Sequence, residues 1–117
     1  MGKSYQDLVA WQKAMDLVTD IYRLTRSFPK EEAYGLTSQP RRTAVSIPSN
    51  IAEGQGRRDA LEFRHFLPLS LGSLMEVETQ IMIAERLHYV GSGSAKAMLR
   101  NAVELGRVLN GFINSLN

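Results

Sequence analysis

Two Glu-x-x-His pairs, Glu62 with His65 and Glu85 with His88, are the residues of this sequence best suited to hold a metal. Four-helix bundles with two metal ions use this motif, but they take it from two facing helices and add a Glu from each of the other two. Here both pairs fall in one predicted helix, whose ~1.5 Å rise per residue puts the histidines ~35 Å apart. We therefore expect no metal site within one chain. A ligand set shared between two chains is excluded less strongly.

Nucleophilic catalysis finds no better support. The candidate hydroxyls fall in predicted helical segments without a recognisable base beside them, and they are Ser46, Ser49, Ser70 and Ser73. The glycines around Arg57 do not follow a strand or precede the lysine of a nucleotide-binding loop. We expect no catalytic residue, no cofactor and no small-molecule substrate.

Composition indicates one small intracellular domain. The chain has 117 residues, enough for a hydrophobic core, and we treat residues 1–117 as a single domain. It has no cysteine, which excludes disulfides and thiolate metal sites. No apolar run is long enough for a membrane span, so we expect a cytoplasmic protein. The formal net charge of +2 is only a weak indication of nucleic-acid binding.

The first two predicted helices differ in regularity. The first ends before Pro29 and has an apolar seam at steps of three and four: Leu8, Trp11, Met15, Val18, Tyr22 and Thr25. The second contains two prolines. Pro40 is harmless if the helix starts near Ser38, whereas Pro48 predicts a kink because a proline inside a helix costs ~3 kcal/mol. Gly54 and Gly56 predict a left-handed helix end.

The third predicted helix is the longest, from about Ala60 to Tyr89, with Asp59 as its cap. Its inward seam comprises Phe63, Leu67, Ser70, Leu74, Val77, Ile81, Ala84 and His88. The opposite side is also rich in apolar and small residues, namely Leu69, Gly72, Thr79, Ile83 and Leu87, interrupted by Glu76 and Gln80. Three neighbouring helices can cover only one side of this helix, so we expect self-association through the other.

A fourth helix, capped by Ser94, completes the fold. Its seam is Met98, Ala102, Leu105, Leu109, Phe112 and Leu116. Four amphipathic helices with short connections predict an all-α, antiparallel up-down-up-down four-helix bundle. Together with the expected self-association, this pattern indicates a ring-like oligomer.

A polar stripe runs along the second helix close to its apolar side: Gln39, Arg42, Ser46, Asn50 and Glu53. Polar groups near a core must be paired, so we favour bonds across helices or subunits; a ligand or nucleic-acid site is the alternative. Antiparallel packing also predicts an ion pair between Glu78 and Arg41 or Arg42.

Basic residues cluster where the third helix begins. Arg57, Arg58 and Arg64 lie there, with Arg41 and Arg42 as further candidates for binding nucleic acid. For a single chain we prefer the interpretation that this cluster is a solvated basic helix end. Repetition around an oligomer would multiply its charge, and contacts of this kind bind phosphate without sequence preference.

Three segments carry a family resemblance: the run LTSQPRRTAVSIPSNIAEGQGR, the pattern from Phe66 to Gln80, and the opening YQDLVAWQKAMDLV. Over nearly the whole chain the sequence resembles bacterial four-helix-bundle proteins encoded in intervening sequences of 23S ribosomal RNA genes. The family is similar in fold to the accessory protein of diversity-generating retroelements, which binds nucleic acid and reverse transcriptase. The resemblance implies a cytosolic, non-enzymatic protein that can form a pentameric ring. Pro40 and Pro68 depart from the family pattern and could alter assembly.

Two functions follow as expectations. The first is an oligomeric module that binds RNA, DNA or a nucleoprotein through repeated basic patches. The second is a protein-interaction scaffold with no affinity for nucleic acid, in which the stripe and the apolar side serve assembly alone.

Overall fold

The structure is a computed structural model that describes residues 4–56 and 60–116. Its four α-helices are α1 (Val9–Thr25), α2 (Ser38–Gln55), α3 (Ala60–Arg86) and α4 (Ser92–Ser115). Two single-turn 3₁₀ helices, Tyr5–Asp7 and Lys30–Glu32, precede α1 and α2. No strand occurs in these residues, so the predicted all-α fold with four helices is confirmed. The predicted cap at Asp59 lies outside the described residues. The predicted cap of the fourth helix at Ser94 is wrong, because α4 begins at Ser92 and Gly91 holds the capping position.

Each helix packs chiefly against its neighbours in the sequence, and α4 also touches α1. Along α2 and α3 the contacts step in opposite directions: Ser46 meets Ser73 near the middle, while the Cα of Gly54 faces Phe63 and Phe66. Between α3 and α4 the Phe63 and Phe112 rings meet edge to face, with centroids 4.9 Å apart. The molecule measures 46 × 23 × 19 Å, the shape of an elongated helical bundle.

The buried residues confirm the predicted seam of α3 from Phe63 to Ala84, and that of α4 from Met98 to Leu109. The predicted seam of α1 is right only in part: Thr25 is buried and Leu8, Trp11 and Val18 are partly buried against the core. Met15 and Tyr22 are exposed, and α1 instead buries Ala10, Ala14, Leu17, Ile21 and Thr25. Since the two alanines are small, α1 can approach the core closely, and its larger side chains lie along the edge facing α2.

The prolines and glycines of α2 have different roles. The helix begins at Ser38, so Pro40 lies in the first turn, where amide groups have no partner within the helix in any case. α2 continues through Pro48 to Gln55. The predicted left-handed end is wrong, because Gly56 has φ −71° and no described glycine has a positive φ. Gly54 is buried and lets α3 pack closely against α2.

α3 ends at Arg86, three residues before the predicted end, in a turn built around His88. His88 is exposed and has φ 62°, so its predicted place in the inward seam is wrong. Its amide donates to Glu85 O (3.0 Å), and the amide of Tyr89 donates to Ala84 O (2.9 Å). This pair of bonds is the Schellman motif, in which glycine normally holds the left-handed position.

We therefore expect His88→Gly to raise the free energy of unfolding by about 0.5–1 kcal/mol, because glycine adopts positive φ without steric cost. Chemical denaturation measures the change. His65→Gly is the control: it lies inside α3 and should lower stability by about 1 kcal/mol. A loss of stability in His88→Gly would contradict the role assigned to the turn.

At the same end of the bundle Glu32 joins the α1–α2 connection to the α3–α4 turn. Its Oε1 accepts from the Leu36 amide (3.0 Å) and its Oε2 from the Tyr89 hydroxyl (2.9 Å). These bonds, led by that from Leu36, lower the pKa of Glu32. The bond to Glu32 is also the main reason that the pKa of Tyr89 is raised. The Tyr89 ring packs against Phe28, with centroids 5.5 Å apart.

Both shifts predict how stability depends on pH. Glu32 has a lowered pKa, so its contribution is complete above its ordinary value of 4.5 and is lost as the pH falls through the lower folded-state value. Tyr89 has a raised pKa, so its contribution is complete below pH 10.0 and is lost as the pH rises through the higher folded-state value. Tyr89→Phe should weaken both dependences in denaturation series across pH. Tyr34→Phe, at a side chain 94% exposed, should leave them as in the native chain.

Candidate functional site

The middle of the polar stripe lies between α2 and α3. The hydroxyls of Ser46 and Ser73 share a hydrogen bond (2.7 Å), and the Asn50 amide donates to Ser46 O (2.8 Å). One turn away, Thr43 Oγ1 lies 3.2 Å from Glu76 Oε2. On the other side of Ser46, the buried Ser70 hydroxyl of α3 donates to Ile47 O (2.9 Å). These bonds support the structural interpretation for the centre of the stripe.

The ends of the stripe are different. Gln39, Arg42 and Glu53 are exposed, so their side chains lie at the surface of α2. The stripe is therefore two features: a central interhelical seam and a more open set of polar groups beside it.

Arg41 packs against α1. Its Nε donates to Thr25 Oγ1 (2.7 Å), its Nη2 donates to Tyr22 O (3.3 Å), and its guanidinium carbon lies 4.7 Å from the Tyr22 ring centroid. Thr25 in turn donates to Ile21 O (2.8 Å). Arg41 thus joins the start of α2 to the end of α1. This contact was not predicted from the sequence, in which Arg41 is grouped with the other basic residues.

The predicted ion pair of Glu78 with Arg41 or Arg42 is wrong: Arg41 is turned towards α1, and burial is the cause that shifts the pKa of the Glu78 carboxyl, with no arginine of the described residues beside it. Glu78 is half-buried, and burial raises the pKa of its carboxyl. An adjacent arginine would shift this pKa in the opposite direction.

Arg64 also makes a bond within the chain. Its Nη1 donates to Leu116 O (3.2 Å) at the end of α4, where a cation interacts favourably with the unpaired carbonyl groups. Of the five predicted nucleic-acid contacts, Arg42 is exposed and Arg41 and Arg64 bind other parts of the bundle. Arg57 and Arg58 lie outside the described residues.

The outer face of α3, defined by Leu69, Gly72, Thr79, Ile83 and, one residue beyond the end of the helix, Leu87, is exposed at every one of its five residues. Leu69 is 53% exposed, Ile83 41% and Leu87 48%. A Cβ at Gly72 would meet nothing within 4 Å. The bundle's own helices therefore leave this apolar face open.

A groove of about 410 Å³ separates α1 from α4 and is lined mainly by charged side chains, among them Lys13, Asp16, Asp20, Arg23 and Glu104. No group of three or more potential metal ligands occurs among residues 4–56 and 60–116. His65 is exposed, as is His88. No helix in the part of the chain that is described has the length and hydrophobicity to cross a membrane.

Comparison with known proteins identifies both the fold and the family of this chain. A solved structure from Bacteroides thetaiotaomicron, a protein of unknown function from the S23 ribosomal protein family, superimposes with a TM-score of 0.82. It shares 20% sequence identity, over 90% of this chain and 98% of that one, and so establishes the fold alone. Curated proteins give no match. Residues 6–111 match the 23S rRNA-intervening sequence protein family, and the chain belongs to that family.

Proposed function

We propose that this protein is a non-enzymatic, self-associating helical scaffold of the cytoplasm, assembled through the outer face of α3. The observation that carries the proposal is the exposure of Leu69, Ile83 and Leu87 on a helix whose inward side is already buried. Each Å² of apolar area removed from water stabilises the associated state by ~25 cal/mol, so binding of a second copy over this face is favourable.

The composition of the outer face suits close packing against another chain. Gly72 and Thr79 are small and lie between the larger apolar residues, so a neighbouring helix can approach the backbone of α3. Contact of this face with a different surface of the next copy generates a closed ring or an open filament. The family resemblance favours the ring, with five chains.

Sedimentation velocity tests self-association. We expect the native chain to sediment as an oligomer at micromolar concentration, and Leu69→Asp and Ile83→Asp to sediment as folded monomers. Val45→Asp on α2 is the matched control, because Val45 and Ile83 are both 41% exposed. A native chain that stays monomeric, or a Val45→Asp variant that dissociates equally, would contradict the proposal.

Nucleic-acid binding is a second candidate, favoured by the exposure of Arg42 and by the basic Arg57–Arg58 pair of the sequence. The family and its solved relative carry names that refer to 23S rRNA and to ribosomal proteins. A ring would repeat the +2 charge of each chain and strengthen its attraction to phosphate.

The same sedimentation experiment with a mixed RNA separates the two functions. Nucleic-acid binding predicts co-sedimentation at low salt that falls steeply as salt increases, and that is lost in Arg57→Glu/Arg58→Glu. A scaffold without this activity sediments identically with and without RNA.

A further inference from the structure

The outward surface of α4 combines positive charge with two apolar residues, the exposed Val103 and the half-buried Leu99. A shallow groove of about 590 Å³ runs along it, lined by Lys96, Leu99, Arg100, Val103, Glu104 and Arg107. We infer that this groove, the α4 groove, is a docking site for an acidic amphipathic segment of a partner protein.

The residues that line the groove lie on one face of α4. Lys96 and Arg100 are four residues apart, and Val103 and Arg107 extend the same face, since steps of three and four keep side chains on one side of a helix. At a rise of ~1.5 Å per residue the three cations cover ~16 Å. That length fits about three turns of a bound helix.

Charge selects an acidic partner. Lys96, Arg100 and Arg107 give the groove three positive charges against the one negative charge of Glu104, a net +2 that equals the net charge of the whole chain. Glu104 lies 3.5 Å from Arg107, but both side chains are well exposed, and surface pairs of this kind contribute only ~0–1 kcal/mol. Arg107 therefore remains available to a carboxylate from outside.

The apolar residues favour a peptide over nucleic acid. Val103 is 47% exposed between Arg100 and Arg107, and the half-buried Leu99 lies one turn before it. Leucine-like side chains of a partner helix can cover these residues while its carboxylates reach the surrounding cations. None of the residues that line the groove is aromatic, so it lacks the stacking surface that single-stranded nucleic acids use.

The docking site lies on α4 and shares no residue with the outer face of α3. Two variants of the protein test it. Lys96→Glu/Arg100→Glu reverses two charges in the groove, and Arg23→Glu/Arg26→Glu makes the same change in net charge at exposed residues near the end of α1. Comparing the two double variants distinguishes binding at the α4 groove from general electrostatic attraction to the protein.

The probe is a fluorescein-labelled helical peptide of leucine and glutamate with leucines at steps of three and four; a scrambled peptide of equal composition is its control. Fluorescence anisotropy should show binding that is at least tenfold weaker for the scrambled peptide, for Lys96→Glu/Arg100→Glu and for Val103→Asp. Arg23→Glu/Arg26→Glu should bind within twofold of the native chain. Amide shifts in a ¹H–¹⁵N spectrum should concentrate in residues 96–107.

Three results would overturn the inference. One is that neither peptide binds, and another is that both bind equally well. The third is that an oligouridine RNA displaces the patterned peptide and binds more tightly through Lys96 and Arg100, which would make the groove a phosphate-binding surface.

Discussion

Gly54→Ala is expected to lower the free energy of unfolding by about 1–3 kcal/mol, the usual cost of overpacking a core. A Cβ on Gly54 would lie 2.7 Å from Phe63 Cδ1 and 2.9 Å from Phe66 Cβ. Phe63 is buried and held against Phe112, so it cannot move aside freely. The added methyl group must push α2 and α3 apart. Urea denaturation followed by circular dichroism measures the loss.

Gly56→Ala provides the control two residues later. Gly56 is exposed and has φ −71°, and a Cβ there would come no closer than 3.4 Å to another atom. Alanine fits this backbone and restricts the unfolded chain, so stability should stay level or rise by up to about 1 kcal/mol. If both variants lose equal stability, close packing at Gly54 is not the reason for its glycine.

Arg41→Ala should lower the free energy of unfolding by about 1.5–3 kcal/mol, the range for hydrogen bonds made by a charged group. The change removes the bond to Thr25 Oγ1, the bond to Tyr22 O and the contact with the Tyr22 ring. Thr25 is only 2% exposed and would lose its charged donor. Thermal and urea denaturation both report the effect.

Arg42→Ala is the neighbouring control, with the same loss of charge at an exposed position. Its stability should stay within about 0.5 kcal/mol of the native chain. The comparison also sorts the two arginines by role, because an RNA contact would affect RNA binding while leaving the fold intact. Equal destabilisation by the two changes would show that Arg41 does not depend on its contacts with α1.

The sequence predicted the helices better than the direction in which each one faces. For α3 and α4, large apolar residues recur on the buried side, so the pattern of side-chain size and the pattern of burial agree. In α1 they disagree. Ala10 and Ala14 face the core because the neighbouring helices come close there, whereas Trp11 and Met15 line a groove against α2. Helical periodicity shows a stripe of large residues but does not show how near the next helix lies.

The candidate site was harder to predict because sequence shows charge without showing its partner. Arg41 and Arg64 both looked available for phosphate, yet each binds an oxygen near the end of another helix. Thr25, a polar residue in the predicted seam of α1, was the sequence feature that indicated a need for a partner such as Arg41. No local pattern pointed to Glu32 and Tyr89, which are joined across 57 positions of sequence. The central seam at Ser46 was predictable because small polar residues beside a core require partners.

The contact between α2 and α3 differs from the contact between α1 and α4, and the difference bears on the order of folding. α2 and α3 are adjacent in sequence, pack closely at Gly54 and are joined by the Ser46–Ser73 and Ser70–Ile47 hydrogen bonds. α1 and α4 are far apart in sequence, and a groove lies between them. Closing a short loop costs less chain entropy than closing a long one. We therefore expect the hairpin of α2 and α3 to form early in folding, and α1 and α4 to dock onto each other late.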